Sequence, residues 1–552
     1  MKPLLPDIDH LSLTQQVAQM VVVRASGYLF DNQIRYPMWE PETAVLQTWL
    51  QDWGVGGVIL LGGSAAELSL RSQQLQNWAA IPLLLAADIE EGVGQRFSGA
   101  TWFPPPMALA AIASQDRSQA EQLAFQMGQV TAQEAQAIGL NWVLAPVVDV
   151  NNNPANPVIN VRAFGETPEI VSSLATAFIQ GAQQHAVLTT AKHFPGHGDT
   201  AIDSHLDLPV LNHDRERLQN LELLPFRAAI AAGVDGIMSA HLQIPALDSD
   251  YPATLSPKIL TEQLRDSLGF AGLIVTDALI MGAIANRYGN NEAAVLAVAA
   301  GADILLMPPD PVAAIQAICE AVETGRIPAE RIRASVERIW QAKQKVCAIP
   351  SLPDSCHAWE TPAPGLEATA LTSGLSLPAA TATVTEILQA SLQVHQPVLS
   401  RLTSTPNGSP CRNLVVVDDA LNSDFLGHHT PAIAVPGAKG YELQMVDRWT
   451  TCQIPSSDPN PPVDGSWLPT LLQLFIRGNP FRGSASLGQN AQDWLRFLLQ
   501  TEQLQALVIY GSPYILAKFL PDLPTEVPYV FTYGQMPVAQ AIALQQLFQD
   551  TR

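Results

Sequence analysis

Short apolar runs alternate with longer helical patterns through the first 345 residues of the chain. The runs are apolar at nearly every position instead of alternating with polar residues, as is typical of parallel strands buried on both faces. The eight runs are residues 20–25, 56–61, 82–88, 142–150, 186–194, 233–241, 272–279 and 302–309. Helical patterns lie between them, as at 118–139, 169–184 and 292–301. This order predicts a (β/α)8 TIM-type barrel, because an open doubly wound sheet, the alternative, would normally contain fewer strands.

A second, smaller domain is predicted after the barrel. Residues 347–370 are rich in proline, show no periodicity and indicate a linker. Beyond them, apolar runs stand at 413–420, 472–478, 506–513 and 528–534, and helical patterns at 491–500 and 538–549. We therefore predict an α/β chain with the barrel over 1–346, the linker over 347–370 and a C-terminal α/β sheet domain over 371–552.

The charge balance argues against two classes of partner. The 552 residues include 29 Lys and Arg against 51 Asp and Glu, which gives a net charge of −22. Such a field repels phosphate backbones and anionic membranes, so we expect no nucleic acid and no membrane partner. A neutral or zwitterionic substrate fits the charge better.

The cysteines and the apolar runs bear on the compartment. The five cysteines are scattered without CxxC spacing, which argues against a disulfide framework or a zinc site and suits a reducing compartment. The first residues lack the apolar core of a signal peptide, and no run approaches the roughly 18 apolar residues of a membrane helix. We therefore expect a cytoplasmic protein.

Polar side chains stand at the predicted strand ends, where a barrel of this kind carries its site. A single aspartate there is usually a cap or a turn former, but several converging polar ends indicate a site. The set comprises Asp88, Lys192, His193, His241 and Asp277 at strand ends, and Arg162 in the loop after the fourth strand. Asp277 follows the apolar run GLIVT, so its carboxylate is predicted to be partly desolvated. It is a candidate nucleophile or, alternatively, the N-cap of a helix over ALIMGAIA.

The loop KHFPGHGDTAIDSH, residues 192–205, groups a lysine, three histidines and two carboxylates around two glycines. Asp203 and His205 stand two apart, and a carboxylate beside an imidazole holds one tautomer and raises its pKa, which suits proton transfer near neutral pH. A solvated surface histidine is the alternative. Metal binding by the three histidines is a further alternative, but their spacing lacks the regularity of a metal signature. We expect neither a metal nor a cofactor.

Five ordered segments resemble blocks of glycoside hydrolase family 3, in its β-N-acetylhexosaminidase branch. They are DIEEGVGQRF (88–97), PVVDVNNNPANPVINVRAFGETPE (146–169), KHFPGHGDTAIDSH (192–205), IMSAHLQIP (237–245) and IVTDALIM (274–281). Five matches in order make the resemblance more specific than any single motif. The chain departs from the family at 91–94, where EGVG replaces the usual Gly-Gly-x-Val. Residues 27–43, after the first strand, look longer than usual and are candidates to shape a leaving-group site.

The resemblance implies a retaining, exo-acting glycosidase that removes terminal β-linked N-acetylglucosamine from small carbohydrates, with peptidoglycan fragments as candidate substrates. It makes Asp277 the nucleophile and His205 the acid/base catalyst, oriented by Asp203. The positions that match sugar-binding residues are Asp88, Arg96, Arg162, Lys192 and His193. One alternative is a β-glucosidase or broad β-glycosidase of the same family, against which the Asp203–His205 pair argues. Another is a sugar-binding barrel without catalysis, which would have no reason to retain Asp277 and that pair.

Overall fold

The structure, a computed structural model, describes residues 5–200, 208–347, 374–397, 402, 410–450, 468–477 and 485–548. The chain forms two compact units. The first comprises Met1–Phe103, Asp116–Ala155 and Ala163–Thr383, and the second comprises Pro104–Gln115, Asn156–Arg162 and Val384–Arg552. Apart from residue 347, the predicted linker at 347–370 lies outside the described residues, and the domain boundaries stay predictions.

The first unit contains an eight-stranded parallel sheet that is nearly closed into a barrel. Its strands are β1 (Val21–Ser26), β2 (Gly57–Leu61), β3 (Leu84–Ala87), β4 (Trp142–Val143), β5 (Leu188–Phe194), β6 (Gly236–Ser239), β7 (Leu273–Thr276) and β8 (Leu305–Leu306). Neighbours in sequence pair with each other, and β1 also pairs with β8. Between β7 and β8, Val275 bridges to Ile304, and the Leu306 N–H donates a 3.0 Å hydrogen bond to Thr276 Oγ1.

All eight predicted runs are confirmed as strands. They could be recognised because burial restricts which residues a strand can contain. Every residue of β3, β5 and β7 is buried. One face of each strand fills the barrel interior and the other packs against helices, so neither face tolerates a regular polar alternation. The strand ends of this barrel position the candidate site described below.

Helices lie between and after the strands, and those predicted at 118–139, 169–184 and 292–301 are confirmed. Up to residue 347 they are α1 (Leu13–Gln19), α2 (Thr43–Thr48), α3 (Ala65–Trp78), α4 (Met107–Ala113), α5 (Arg117–Ala137), α6 (Pro168–Ala182), α7 (Arg215–Asn220), α8 (Leu223–Ala231), α9 (Gly282–Tyr288), α10 (Asn290–Ala300), α11 (Pro311–Glu323) and α12 (Ala329–Val346). Two π-helical stretches cover Trp49–Trp53 and Lys258–Ser267. Within the described residues, no helix is long and apolar enough to cross a membrane.

Local side-chain chemistry determines where several helices begin. At α3, Ser64 Oγ accepts the Glu67 N–H at 3.2 Å, while the Glu67 carboxylate accepts the Ser64 N–H at 3.0 Å. This capping box satisfies backbone donors that the helix itself leaves unpaired. Asp116 and Asp310 cap α5 and α11 in the same position. These short polar residues mark where the apolar periodicity of α3, α5 and α11 begins.

The second unit contains a six-stranded mixed sheet in the order β11-β10-β12-β13-β14-β9. The strands are β9 (Gln393–His395), β10 (Cys411–Val417), β11 (Tyr441–Val446), β12 (Thr470–Ile476), β13 (Leu504–Gly511) and β14 (Tyr529–Thr532). The helices after residue 374 are α13 (Pro378–Ala390), α14 (Pro431–Ala438), α15 (Ala485–Gln500), α16 (Pro513–Phe519) and α17 (Pro537–Leu547). Its core includes the stacked rings of Phe475 and Tyr510, with centroids 4.2 Å apart.

The four strands predicted in this unit are confirmed, but β9 and β11 were not predicted. Both lie at the edges of the sheet, and β9 is antiparallel to β14 whereas the other pairs are parallel. Several of their side chains are exposed. An edge strand buries less of its surface than a central strand and therefore carries no continuous apolar run.

Lys343, on α12, is fully buried, and its Nζ donates a 2.6 Å hydrogen bond to Gln19 Oε1. Burial lowers the pKa of Lys343 from 10.5 to about 7. Between those two values the unfolded chain binds more protons than the folded protein, so stability is expected to rise with pH through this window. Each pH unit inside the window is worth about 1.4 kcal/mol.

We expect Lys343→Met to remove this dependence, because methionine does not titrate. The measurement is the free energy of unfolding in urea at pH 7 and pH 9 for wild type and variant. Lys345→Met, on the same helix, is the control, since Lys345 is partly exposed and pairs with Asp235. A difference between wild type and Lys343→Met that stays constant with pH would contradict the expectation.

Candidate active site

Lys192 joins two carboxylates at the carboxyl end of the barrel strands. It lies on β5, and its Nζ is 2.7 Å from Asp88 Oδ1 and 2.7 Å from Glu90 Oε1. The side chains of Lys192 and Glu90 are buried, whereas that of Asp88 is 36% exposed. Two partners compensate the desolvation of the ammonium group and fix its direction. The ion pair therefore presents one partly exposed carboxylate beside a buried cation.

Arg96 lies beside Asp88. The segment between them forms a short turn with a 3₁₀ helix over Val93–Gln95, and the Arg96 Nε donates a 2.9 Å hydrogen bond to the Asp88 carbonyl. Glu91, at the departure from the family pattern, is buried and accepts a 3.0 Å hydrogen bond from Trp102 Nε1. The departure therefore places a carboxylate inside the protein without separating Asp88 from Arg96.

Asp149 organises the loop that follows β5. Its Oδ2 is 2.7 Å from His193 Nδ1, and its Oδ1 accepts the His197 N–H at 2.7 Å. Burial opposes ionisation of Asp149, but the attraction of His193 and these hydrogen bonds outweigh it, so its pKa lies below the ordinary value. A carboxylate that accepts from Nδ1 leaves Nε2 of His193 as the ring nitrogen for another partner.

His197 is buried beside this pair, and its Nδ1 is 2.8 Å from Thr200 Oγ1. Burial lowers its pKa to about 4, although the carboxylates of Asp149 and Asp277 oppose this shift. The imidazole is therefore neutral at neutral pH. Across the chain segments that the structure describes, no three His, Cys, Asp or Glu side chains are grouped to hold a metal ion.

The two glycines of the loop are required by close packing. A Cβ at Gly198 would lie 1.7 Å from the Val150 carbonyl oxygen. Gly196 has a φ of +134°, and a Cβ there would lie 2.8 Å from the Glu222 Cβ. Each glycine thus lets the loop approach a neighbouring segment.

Asp277 follows β7 directly. Its N–H donates to the Ser239 carbonyl at 3.2 Å, and its Oδ1 accepts the Ala278 N–H at 2.7 Å. The next helix, α9, begins only at Gly282 and has Met281 at its N-cap position. The alternative interpretation of Asp277 as a helix cap is therefore wrong, and its carboxylate lies on the turn after the strand.

His241, at the end of β6, supports this turn. Its ring is fully buried between two partners, with Nδ1 2.8 Å from Thr254 Oγ1 and Nε2 3.0 Å from the Ala278 carbonyl oxygen. The residue after Asp277 is thus tied to the neighbouring strand end. His241 therefore contributes to the site by fixing the backbone at Ala278, the residue after Asp277.

The remaining predicted residues are Arg162, Asp203 and His205. Arg162 belongs to the second unit, in the 3₁₀ helix Asn160–Arg162, and its Nη1 donates to the Val158 carbonyl at 3.0 Å. Asp203 and His205 lie outside the described residues. The structure therefore brings together Asp88, Arg96 and Lys192, and it links His193 and His197 through Asp149. The negative charge of Asp277 acts to raise the pKa of His197, against the larger effect of burial.

The residues on either side of 201–207 are joined by ion pairs. Asp199 Oδ2 is 2.7 Å from Arg217 Nη2 and 3.2 Å from His213 Nε2. Arg217 also reaches Glu222, with Nε 3.2 Å from Oε1. These contacts tie Asp199 to α7 and, through Arg217, to the residue before α8.

Sequence reasoning missed two residues of this arrangement, Glu90 and Asp149. The signal for Asp149 was present, because an aspartate between valines in WVLAPVVDV must find a partner when it is buried. Glu90 stands two residues after Asp88, and both carboxylates contact the Lys192 ammonium group. Neither partner could be identified from the sequence, since both lie more than 40 positions away.

We expect Asp149→Asn to lower the free energy of unfolding by about 3–5 kcal/mol and to reduce kcat/KM, because the amide cannot replace both carboxylate oxygens as acceptors. Thermal unfolding and steady-state kinetics measure the two effects. Asp250→Asn, at an exposed aspartate, is the matched control. Wild-type stability and activity in Asp149→Asn would contradict the organising role of Asp149.

Both units match known family models. Residues 12–342 match the glycosyl hydrolase family 3 N terminal domain, which covers more than half of the chain. This chain belongs to glycosyl hydrolase family 3. Residues 405–549 match the bacterial glycosyl hydrolase family 3 C-terminal domain. The predicted family and the predicted barrel with a second α/β sheet are thereby confirmed.

Relatives of this family 3 chain include two curated enzymes. Beta-hexosaminidase A of Pseudoalteromonas piscicida is 35% identical in an alignment of 336 positions that covers 54% of this chain and 55% of the relative. Beta-N-acetylglucosaminidase/beta-glucosidase of Cellulomonas fimi is 33% identical in an alignment of 299 positions that covers 52% of each chain. The chain thus spans about half the length of these relatives.

A solved structure extends the likeness along the whole family 3 chain. The glycoside hydrolase family 3 beta-N-acetylglucosaminidase from Paenibacillus sp. strain FPU-7 superposes with a TM-score of 0.74 at 31% identity. The match covers 97% of this chain and 96% of that one.

Proposed function

We propose that this protein is a retaining, exo-acting β-N-acetylhexosaminidase that releases terminal β-linked N-acetylglucosamine. The observation that carries the proposal is the likeness to the Paenibacillus β-N-acetylglucosaminidase, which extends over almost the full length of both chains. The name of the Pseudoalteromonas relative supports the same sugar class. The Asp203–His205 pair in the loop after β5 supports the same branch of the family.

Two residues would carry the chemistry. Asp277 attacks the anomeric carbon while His205, oriented by Asp203, donates a proton to the leaving oxygen, and a covalent glycosyl-enzyme forms. In the second step His205 takes a proton from water, which attacks the same carbon and releases the sugar. The position of Asp277 on a turn after an apolar strand supports a carboxylate that is not used as a helix cap.

The other predicted residues would hold the terminal sugar. We propose that Asp88, Arg96, Arg162, Lys192 and His193 bind its hydroxyl groups. The Lys192 contacts with Asp88 and Glu90, and the Asp149 contact with His193, support this role because they fix polar groups before a ligand arrives. Preorganised charged donors bind most strongly where the sugar ring distorts towards the transition state.

A second candidate function is that of a broad β-glycosidase, because the name of the Cellulomonas relative joins an N-acetylglucosaminidase with a β-glucosidase. The deciding experiment compares hydrolysis of 4-nitrophenyl β-N-acetylglucosaminide and 4-nitrophenyl β-glucoside by the purified protein. We expect kcat/KM to favour the N-acetylglucosaminide at least tenfold. A preference for the glucoside would overturn the assignment of the branch, and no turnover of either would favour a sugar-binding barrel.

The natural substrate and the compartment are further proposals. We propose small carbohydrates such as peptidoglycan fragments as substrates, and a cytoplasmic location, which the few scattered cysteines support. Release of N-acetylglucosamine from a purified disaccharide-peptide would test the first proposal. Fractionation of the source cells would test the second.

A further inference from the structure

The segment after β1 exposes several large apolar side chains close together. Phe30 and Met38 are 66% and 87% exposed, and Tyr36 and Trp39 are 40% and 37% exposed. Grouped exposed apolar side chains usually mark a binding surface, whereas single ones need no explanation. Residues 27–43 are also the segment that the sequence indicated to be longer than usual.

Two of these aromatic rings contact the guanidinium group of one arginine in the barrel. The Arg24 guanidinium, on β1, lies 5.2 Å from the ring centroids of both Tyr36 and Trp39. The two rings are 5.9 Å apart with 21° between their planes. Arg24 itself is held by the buried Glu40, with Nη2 3.0 Å from Oε1. A ring pair that is fixed in this way loses little conformational freedom when a ligand binds.

Hydrogen bonds also join residues near the two ends of the segment. Asp31 Oδ1 accepts hydrogen bonds from the Thr43 N–H at 3.0 Å and from Thr43 Oγ1 at 2.6 Å. Thr43 is the first residue of α2, so the carboxylate also lies at a helix N-terminus. The segment is therefore a loop that leaves the barrel and returns to it, with its two ends held together by hydrogen bonds.

This loop lies on the same rim of the barrel as the candidate site. Gly27, directly after β1, donates its N–H to the Leu61 carbonyl at 2.9 Å, and Gly63 after β2 accepts the Ser98 N–H at 3.3 Å. Ser98 ends the segment that carries Asp88 and Arg96. Backbone hydrogen bonds thus connect the loops after β1, β2 and β3 in that order. All three loops belong to the first unit.

We propose that Tyr36 and Trp39 bind the pyranose ring on the leaving-group side of the scissile bond. The inference rests on the proposed function, in which the terminal sugar occupies the polar strand ends and the remainder of the substrate must extend over the rim. The C–H faces of a β-linked pyranose are apolar and flat, so they pack against an aromatic face. A neutral sugar also agrees with a site where Arg24 is already paired with Glu40.

The test compares two substrates that differ only in the leaving group, the β-1,4-linked disaccharide of N-acetylglucosamine and methyl β-N-acetylglucosaminide. For Trp39→Ala, we expect the ratio of kcat/KM for the disaccharide to kcat/KM for the methyl glycoside to fall about tenfold. Tyr36→Ala is expected to lower the ratio in the same direction, and Trp39→Phe to retain most of it. Thermal unfolding verifies that each variant is folded.

Trp449→Ala is the matched control, because Trp449 is an exposed tryptophan of the second unit that also covers an arginine, Arg448, at 4.7 Å. For Trp449→Ala, the ratio of kcat/KM for the disaccharide to kcat/KM for the methyl glycoside is expected to equal that of wild type. An unchanged ratio in Trp39→Ala overturns the inference and leaves the proposed function standing. Self-association of wild type that Trp39→Ala abolishes, without a change in the ratio, also overturns it in favour of a second copy as the occupant. If wild type cleaves neither substrate, the proposed function fails and the inference fails with it.

Discussion

Replacing Asp277 by alanine is expected to lower kcat for an N-acetylglucosaminide by about 10⁴-fold or more while the protein remains folded. Alanine removes the proposed nucleophile, so no covalent glycosyl-enzyme can form. The carboxylate accepts the neighbouring Ala278 N–H and caps no helix, so no helix cap is lost with it. Steady-state hydrolysis of the 4-nitrophenyl glycoside and thermal unfolding measure the two expectations.

The azide ion makes this test sharper. A small anion in the space left by Asp277→Ala is expected to attack the anomeric carbon from the face that the carboxylate used, giving the α-glycosyl azide. Asp266→Ala, at an exposed aspartate shortly before β7, is the matched control and should keep wild-type kcat. Turnover close to wild type in Asp277→Ala would assign the attack to another group, such as the acetamido oxygen of the substrate, and would reject Asp277 as the nucleophile.

Replacing His205 by alanine is expected to produce a loss that depends on the leaving group. Methyl β-N-acetylglucosaminide needs a proton on its leaving oxygen, so its kcat/KM should fall by about 10²–10⁴-fold. A dinitrophenyl glycoside needs almost no protonation and should lose little in the first step. A series of aryl glycosides with increasing phenol pKa, measured with wild type and variant, tests this expectation.

Two further readouts separate an acid/base role from a structural one. Azide should speed the second step of His205→Ala and give the β-glycosyl azide, because it replaces water on the face opposite Asp277. Asp203→Asn should lower kcat less than His205→Ala does and shift the pH profile, since the imidazole remains without its carboxylate. Equal losses across the leaving-group series would contradict the assignment of His205 as the general acid.

The strands of the barrel could be predicted from the sequence for a simple physical reason. Burial on both faces leaves β3, β5 and β7 without a regular alternation of polar and apolar residues, so each strand could be recognised without knowing its neighbours. The edge strands β9 and β11 escaped because exposure removes that constraint. A strand is recognisable in a sequence to the extent that its environment restricts its composition.

The candidate site could be predicted only in part. Asp88, Lys192 and Asp277 were found because each is a polar residue that ends an apolar run. Glu90 and Asp149 were missed because their roles depend on partners: Lys192 lies between Asp88 and Glu90, and Asp149 joins His193 to the His197 backbone. Such pairs stand about 100 or 44 positions apart, and local patterns contain no information about them.

The sequence by itself determined the (β/α)8 barrel, the second α/β sheet and the family, because apolar runs and ordered motifs are local properties of the chain; the site residues that it indicates stay predictions. Only the tertiary structure decided that Asp149 organises the loop after β5, that Asp277 caps no helix and that Arg24 holds the rings of Tyr36 and Trp39. Each of these depends on closure of the barrel, which brings strand ends and loops from distant parts of the chain within hydrogen-bonding distance and determines which charges lose water.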